Sequence, residues 1–449
     1  MDSLLAGFAK LMWGPWLLLL LLGTGVWLSV RLRGIQIRNL IYAFRLTFSR
    51  EREGTGDISH FGSLMTALAA TVGMGNIAGV STAVALGGPG AIFWMWITGL
   101  VGMATKYSEG YLAVKYRHIN EHGEISGGPM YYLEYGLGHK WLGICFAIFG
   151  ALAAFGIGNM IQSNTTAYAL SETLGTSKLL VGITLALLTS MVIIGGIKRI
   201  ADVASYFVPF MVVIYFIGAL VVIFNNLSHL GSGIILIFEH AFTGTAATGG
   251  FIGATFAQTI RYGVARGLFS NESGMGSAPI AAAAAKTNHP GKQALVSMTG
   301  TFLDTLVICS LTALAVSSSG VWVSGETGVA LTIQAFSTGL SGNWGNIIVS
   351  LSAVTFGFSS ILAWEYYGEK CFEYLFKGRW ISLYRYMWVF FVFIGALFKL
   401  EMVWNFSDAM NALMAVPNLI GLILLGGVLS RETQTFEVGI RKGTIKKFD

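Results

Sequence analysis

Apolar residues run along this chain in eleven stretches, each long enough to hold the ~20 residues that a helix needs to cross a bilayer, with polar links between them. They cover 12–31, 59–86, 89–117, 140–171, 178–197, 200–225, 249–285, 292–317, 343–376, 383–400 and 402–430. The pattern predicts an all-α membrane protein with eleven transmembrane helices. Two stretches are interrupted, at Val72-Gly73-Met74-Gly75-Asn76 and at Gly274-Met275-Gly276-Ser277. Each glycine gives up about 1 kcal/mol of helix propensity relative to alanine, in a place where no water solvates a broken backbone.

With the first helix (12–31) set aside, ten stretches remain, and the interruptions fall in the first of each set of five. Because five is odd, the second set enters the membrane in the opposite sense. The chain therefore reads as a single membrane domain, 1–449: an extra N-terminal helix, a first five-helix repeat (59–225), an inverted second repeat (249–430) and a short tail (431–449). Discontinuous helices in corresponding positions of such repeats meet near the midplane.

Charge orients this arrangement. With the N-terminus outside, 23 Lys and Arg residues fall on the cytoplasmic side and three (Lys10, Lys178, Lys399) outside, with Arg261 and Arg266 unassigned. The two larger outside stretches, 226–248 and 317–342, contain neither residue, and the tail is cytoplasmic. The first run is followed by Arg31-Leu32-Arg33 and lacks a small-residue cleavage site, so it reads as a retained helix rather than a signal peptide. Composition agrees: 54% hydrophobic and 11% charged residues, with a mean hydropathy of +0.67. The net charge of +6 describes orientation and contact with anionic lipid, not nucleic-acid binding, for which no basic soluble domain exists. Cys145, Cys309 and Cys371 read as small buried hydrophobes.

Breaking a helix in the membrane frees carbonyls that suit a small hard cation and amides that suit a carboxylate. Polar side chains stand beside both breaks: Thr71, Asn76, Ser270, Asn271, Ser273 and Ser277. A small zwitterion moved together with a cation satisfies such a site. Asn159, Gln162 and Thr166 recur at i, i+3 and i+7 and so share a helix face; Gln162 either meets the substrate carboxylate or bonds a neighbouring helix. Glu272 either binds the ammonium or pairs with Arg266, and Asp304 is either a gate partner or a neutralised core acid. His118-Ile119-Asn120-Glu121-His122 matches a zinc-peptidase spacing, but it falls in a polar loop without a clear third ligand and reads as solvated loop charge.

The segments PGAIFWMWITGLVG (89–102) and GVARGLFSNESGMGSAP (263–279) resemble the signatures of the alanine or glycine:cation symporter family, and the helix pattern agrees over nearly the whole chain. The resemblance implies an amino-acid:sodium symporter, not an enzyme, of the LeuT-type fold plus one N-terminal helix, in the cell membrane. It implies that Gly73, Met74 and Gly75 contact the substrate, with Phe269 as an aromatic lid and Ser270, Asn271, Gly274 and Met275 lining the pocket. Thr71, Asn76 and Gln162 complete the expected substrate set. Sodium is expected on the carbonyls of Ala69, Val72 and Phe356 and the hydroxyls of Ser359 and Ser360. A second cation site on Thr71, Asn76 and Ser270 follows the same pattern. Met275 narrows the pocket toward alanine, glycine or serine. No cofactor beyond sodium, no nucleic acid and no obligatory protein partner is implied. Proton coupling, or a transporter-like receptor or channel without accumulation, remain the alternatives.

Overall fold

The computed structural model describes residues 2–49, 54–120, 123–398 and 400–446. Among them six helices are long and apolar enough to cross a membrane: Ala6–Arg31, Lys140–Leu174, Gly196–Asn225, Pro290–Ser319, Trp344–Phe376 and Glu401–Leu424. A seventh span is a pair, His60–Thr71 and Gly75–Gly87, bent by 50° where the sequence places the first break. Ala91–Lys115, at 25 residues, is long enough but carries Lys106, Glu109 and Lys115. Lys178–Ile193 and Ile381–Gly395 are apolar but shorter.

Local chemistry sets the element ends. Ser59 caps the first broken helix by accepting from the Gly62 amide. Phe256–Asn271 starts later than the 249–285 stretch, because a reciprocal capping box of Thr255 and Gln258 fixes its first turn. Prolines at the first helical position open Pro279–Ala283 and Pro290–Thr301, where a missing N–H costs nothing. Two stretches read only as outside links hold helices. Leu227–Thr243 buries Gly233, Ile237 and Ala241, spaced four apart, and Gly328–Gly339 packs near the first break. The tail carries a helix, Gly426–Lys442, whose Glu437 pairs with Arg38 and whose Glu432 pairs with Lys115.

Small residues let the central helices touch. Ala91–Lys115 lies against both Phe256–Asn271 and Pro290–Thr301. A side chain on Gly263 would collide with the Ala91 carbonyl at 2.3 Å, and one on Gly110 with Ser297 at 2.8 Å. Such contacts replace the hydrophobic drive that lipid does not supply between membrane helices. A π-helical turn, Ala154–Met160, inserts into the Lys140–Leu174 span, where Gly158 sits on Trp364. It disperses the polar stripe expected on one face: Asn159 donates to the Trp388 carbonyl, Gln162 reaches the first break, and Thr166 donates to Ala353.

Candidate functional site

The first break is built around its two glycines. His60–Thr71 ends at Val72, whose ψ of 89° leaves the helical region. The Gly73 amide donates to Asn76 Oδ1 at 2.9 Å, and the Met74 amide to Gln162 Oε1 at 3.3 Å. The chain then re-enters through a π-helical turn, Gly75–Gly79. A Cβ on Gly73 would stand 2.6 Å from Ser360 Oγ, and one on Gly75 would stand 3.0 Å from Ser270 Cα. One glycine thus admits the Trp344–Phe376 helix, and the other admits the second broken helix. Freed carbonyls are met by hydroxyls, Thr312 donating to Asn76 O at 2.8 Å and Thr332 to Ile77 O at 3.0 Å.

Of the expected cation ligands, Ala69, Ser359 and Ser360 lie where the first broken helix meets Trp344–Phe376. Ser360 Oγ donates to the Ala70 carbonyl at 3.3 Å, Ser359 Oγ to the Phe356 carbonyl at 3.0 Å, and Ala69 and Ser359 line one narrow crevice with Ala204 and Leu362. The donor set is entirely oxygen, carbonyl and hydroxyl, which fits a hard monovalent cation and not a thiophilic metal.

The second break is held by the protein itself. Glu272 ends Phe256–Asn271 in the left-handed region (φ 55°), and Gly274 and Gly276 follow at φ 87° and 82°. Their two amides donate to one oxygen of Glu109, at 3.1 and 3.0 Å, and Asn418 donates to the same oxygen at 2.7 Å. Glu272 accepts from Ser277 Oγ at 2.6 Å and from the Trp364 indole at 3.0 Å, while Lys106 donates to its backbone carbonyl at 3.2 Å. Gly274 faces Leu21 and Leu419, Met275 is fully buried, and the Asn271 carboxamide accepts from the Ser273 amide.

The pairing of Glu272 with Arg266 is therefore corrected. The left-handed turn aims the Glu272 carboxylate at Trp364, whereas Arg266 lies nearly two turns earlier. Its guanidinium stands 3.8 Å from Asp408 and stacks over Trp404 at 4.8 Å and Phe269 at 5.7 Å. Phe269 packs on Trp404 with ring centroids 5.0 Å apart, and Arg266 and Trp404 line a cavity of about 640 Å³ that also touches Ala78, Tyr168, Glu326 and Glu401.

Asp304 joins the two breaks. Fully buried in a π-helical stretch, Phe302–Cys309, it accepts from Asn76 Nδ2 at 2.7 Å, from Ser270 Oγ at 2.9 Å and from Thr305 Oγ1 at 2.8 Å. Cys309 Sγ lies 3.3 Å from Asn76 Nδ2 and 3.2 Å from Ser270 Oγ. Thr71 sits apart from this group: its hydroxyl donates to Ala67 and lines a narrow cleft with Lys106, Gln293 and Ser297. Glu109 was not singled out from the sequence. An acid within a 25-residue helix of an apolar stretch is the signal that marks it.

Of the loop motif, residues 118–120 are described. His118 lies in a hairpin, His118–Ile119 paired with Ile125–Ser126, and stacks on Tyr131 and Tyr135; Glu121 and His122 lie outside the described residues. Among the described residues no group of three or more His, Cys, Asp or Glu is placed to hold a metal ion.

Comparison with known proteins adds four findings. The whole chain, residues 1–449, matches the model of the sodium:alanine symporter family. The sodium/alanine symporter AgcS of Methanococcus maripaludis is 51% identical over 455 residues, covering 99% of each chain. The probable sodium/glutamine symporter GlnT of Bacillus subtilis is 39% identical over 426 residues, covering 93% of this chain and 87% of that one. Among solved structures, MhsT in complex with L-phenylalanine matches with a TM-score of 0.61 at 14% identity, over 84% of this chain and 90% of that chain, a likeness of fold.

Proposed function

The chain belongs to the sodium:alanine symporter family, and from that premise we propose that it imports alanine or glycine with sodium by alternating access across the cell membrane. As a member it is a multi-pass membrane transporter using sodium and an amino acid, and not an enzyme. The finer reading rests on one observation, the meeting of Gly73 with Ser360 and Gln162 beside the contact of Gly75 with Ser270.

In this reading the substrate carboxylate approaches the amides of Gly73, Met74 and Gly75 at the start of the resumed half-helix, where the dipole favours negative charge. Gln162, whose Oε1 accepts from the Met74 amide, gives that amide up to the carboxylate as the substrate enters. Asn76, Ser270 and Asn271 face the ammonium side, Gly274 and Met275 set the course of the second break, and Phe269 closes the vestibule side together with Trp404. The carbonyls of Ala69, Val72 and Phe356 and the hydroxyls of Ser359 and Ser360 hold sodium, which neutralises the freed carbonyls and bridges the two helices. A second cation site gathers on Asn76 and Ser270, with Asp304 supplying the carboxylate, and not on Thr71.

Sodium raises substrate affinity in this scheme only by its preference for the ordered break. We assign eleven spans in a 5+5 inverted repeat, with the N-terminus outside and the tail in the cytoplasm. The test is uptake of labelled alanine and glycine into proteoliposomes under a sodium gradient, a proton gradient, or neither. Accumulation above equilibrium with sodium alone, with leucine a poor competitor, is the expected result. Equal competition by leucine removes the small-substrate reading, and accumulation driven by protons alone removes the sodium reading.

A further inference from the structure

The Trp344–Phe376 helix that carries Ser359 and Ser360 also carries charges that the sodium and substrate sites do not use. Glu365 is 1% exposed and Glu369 6%, one turn apart. Arg385, on the neighbouring Ile381–Gly395 helix, spends both arms on Glu369, at 2.5 and 2.9 Å, and leaves Glu365 3.9 Å from the same guanidinium. Glu365 Oε1 has no hydrogen-bond partner among the described residues. Two buried carboxyl groups thus share one guanidinium that hydrogen-bonds only Glu369, and a buried carboxylate without a donor is costly unless it takes a proton.

A second observation points at the same spot. The Tyr384 hydroxyl is buried, likewise has no partner among the described residues, and is seated on Gly368, where a Cβ would lie 1.8 Å from it. Gly368 lies between the two acids along the same turn of the Trp344–Phe376 helix. Polar groups flank this point toward solvent: Arg385 is 28% exposed, and on the other side Glu124, about half exposed, bonds Lys370 at 3.1 Å, which bonds Glu373 at 2.6 Å. The charged groups acting on Glu365 are Glu369, Lys370 and Arg385, with Tyr384 as a further titratable neighbour. The Lys140–Leu174 span presents Ala154 and Phe155 here, and neither titrates.

We propose that Glu365, with Glu369, Arg385 and Tyr384, is a proton-binding site separate from the substrate site, which takes up and releases one proton as the transporter cycles. On release the O–H bond of the carboxyl breaks, its electron pair stays on the carboxylate, and the proton passes to water on the Arg385 side. Two buried carboxylates then face one guanidinium, a costly state inside a membrane segment. The strain falls on a helix that holds both breaks: Trp364, the preceding residue, donates to Glu272, and Ser360 donates to Ala70. Proton occupancy therefore biases the arrangement of both broken helices.

The transport arm of the test rests on the symporter reading, and the spectroscopic arm does not. Infrared pH-difference spectra of the purified protein in lipid contain a protonated-carboxyl component that disappears in Glu365→Gln. Glu369→Gln, which leaves Glu365 alone with Arg385, shifts the same component and serves where the first variant fails to fold. A spectrum unchanged by either substitution overturns the proposal. In proteoliposomes, sodium-driven alanine uptake by the unaltered protein varies with pH on the Arg385 side by up to about tenfold per unit, the limit for one titrating group. Glu365→Gln keeps uptake and flattens that profile; an unchanged profile in the variant overturns the proposal. Absence of uptake in the unaltered protein sinks the symporter reading, and the infrared result still decides the proton site.

Discussion

Gly73→Ala is the sharpest perturbation of the first break, because the added methyl group is all that changes. Gly73 is not among the positive-φ glycines, so alanine meets no backbone strain, and the loss of unfolded-chain freedom stabilises the variant by about 0.4–1 kcal/mol. The opposing effect is contact: the methyl carbon would stand 2.6 Å from Ser360 Oγ, closer than such atoms pack, and 3.3 Å from Gln162 Oε1. Gln162 is long enough to yield. Ser360 yields only by turning its hydroxyl away, which breaks its hydrogen bond to the Ala70 carbonyl and withdraws a proposed sodium ligand. Such a bond contributes about 0.5–1.5 kcal/mol net, and 1.4 kcal/mol corresponds to tenfold in an equilibrium constant. The expected outcome is a protein that folds normally and needs severalfold to about tenfold more sodium for half-maximal alanine uptake. Ser360→Ala alone should raise the sodium requirement similarly, and Gly73→Ala adds little on that background, since the clashing oxygen is already gone. Sodium titration of labelled alanine uptake for the four proteins of this cycle, with thermal unfolding as a control, measures it. Simple additivity of the two changes, or an unchanged sodium requirement in Gly73→Ala, refutes the reasoning.

Three further outcomes follow from the same geometry. Glu109→Ala strips the acceptor from two backbone amides and Asn418, each left buried at about 1–3 kcal/mol, so thermal unfolding should occur at a markedly lower temperature, with Glu109→Gln intermediate. An unfolding temperature in Glu109→Ala equal to that of the unaltered protein contradicts the role of Glu109 in the second break. Asp304→Asn keeps an oxygen for Asn76 and Ser270 but removes the charge, and should weaken sodium dependence more than it lowers stability; the comparison is sodium titration against thermal unfolding. Trp404→Ala removes the ring that packs on Phe269 and under Arg266, a stack contributing about 1–2 kcal/mol, and should speed release of bound labelled alanine toward the vestibule, read by rapid dilution.

Both breaks of the candidate site were legible before any geometry. Glycines costly to a helix stand out in an apolar stretch, and adjacent serines such as Ser359 and Ser360 stand out against a membrane helix. What stayed hidden were partnerships. Glu109 and the Gly274 amide are 165 residues apart, and Asn76 and Asp304 are 228 apart, so no local pattern connects them. The choice between two partners for Glu272 was equally open, because nearness to Arg266 along the chain says nothing of Trp364. Leu227–Thr243 escaped notice because only one face is apolar, and a search for continuous apolar runs passes over such a helix.

The sequence by itself determined the medium, the two breaks and the chemistry those breaks can host. These follow from residue types and spacing along one strand of chain: apolar length sets the spans, and clustered glycine interrupts them. The tertiary structure alone decided which freed group each break offers and which it consumes. The second break's amides are taken by the Glu109 carboxylate and the first break's by the neutral carboxamides of Asn76 and Gln162, while Gly73 and Gly75 admit Ser360 and Ser270. That division depends on which buried carboxylate lies within about 3 Å of which amide, a distance set by helix packing and not by order along the chain.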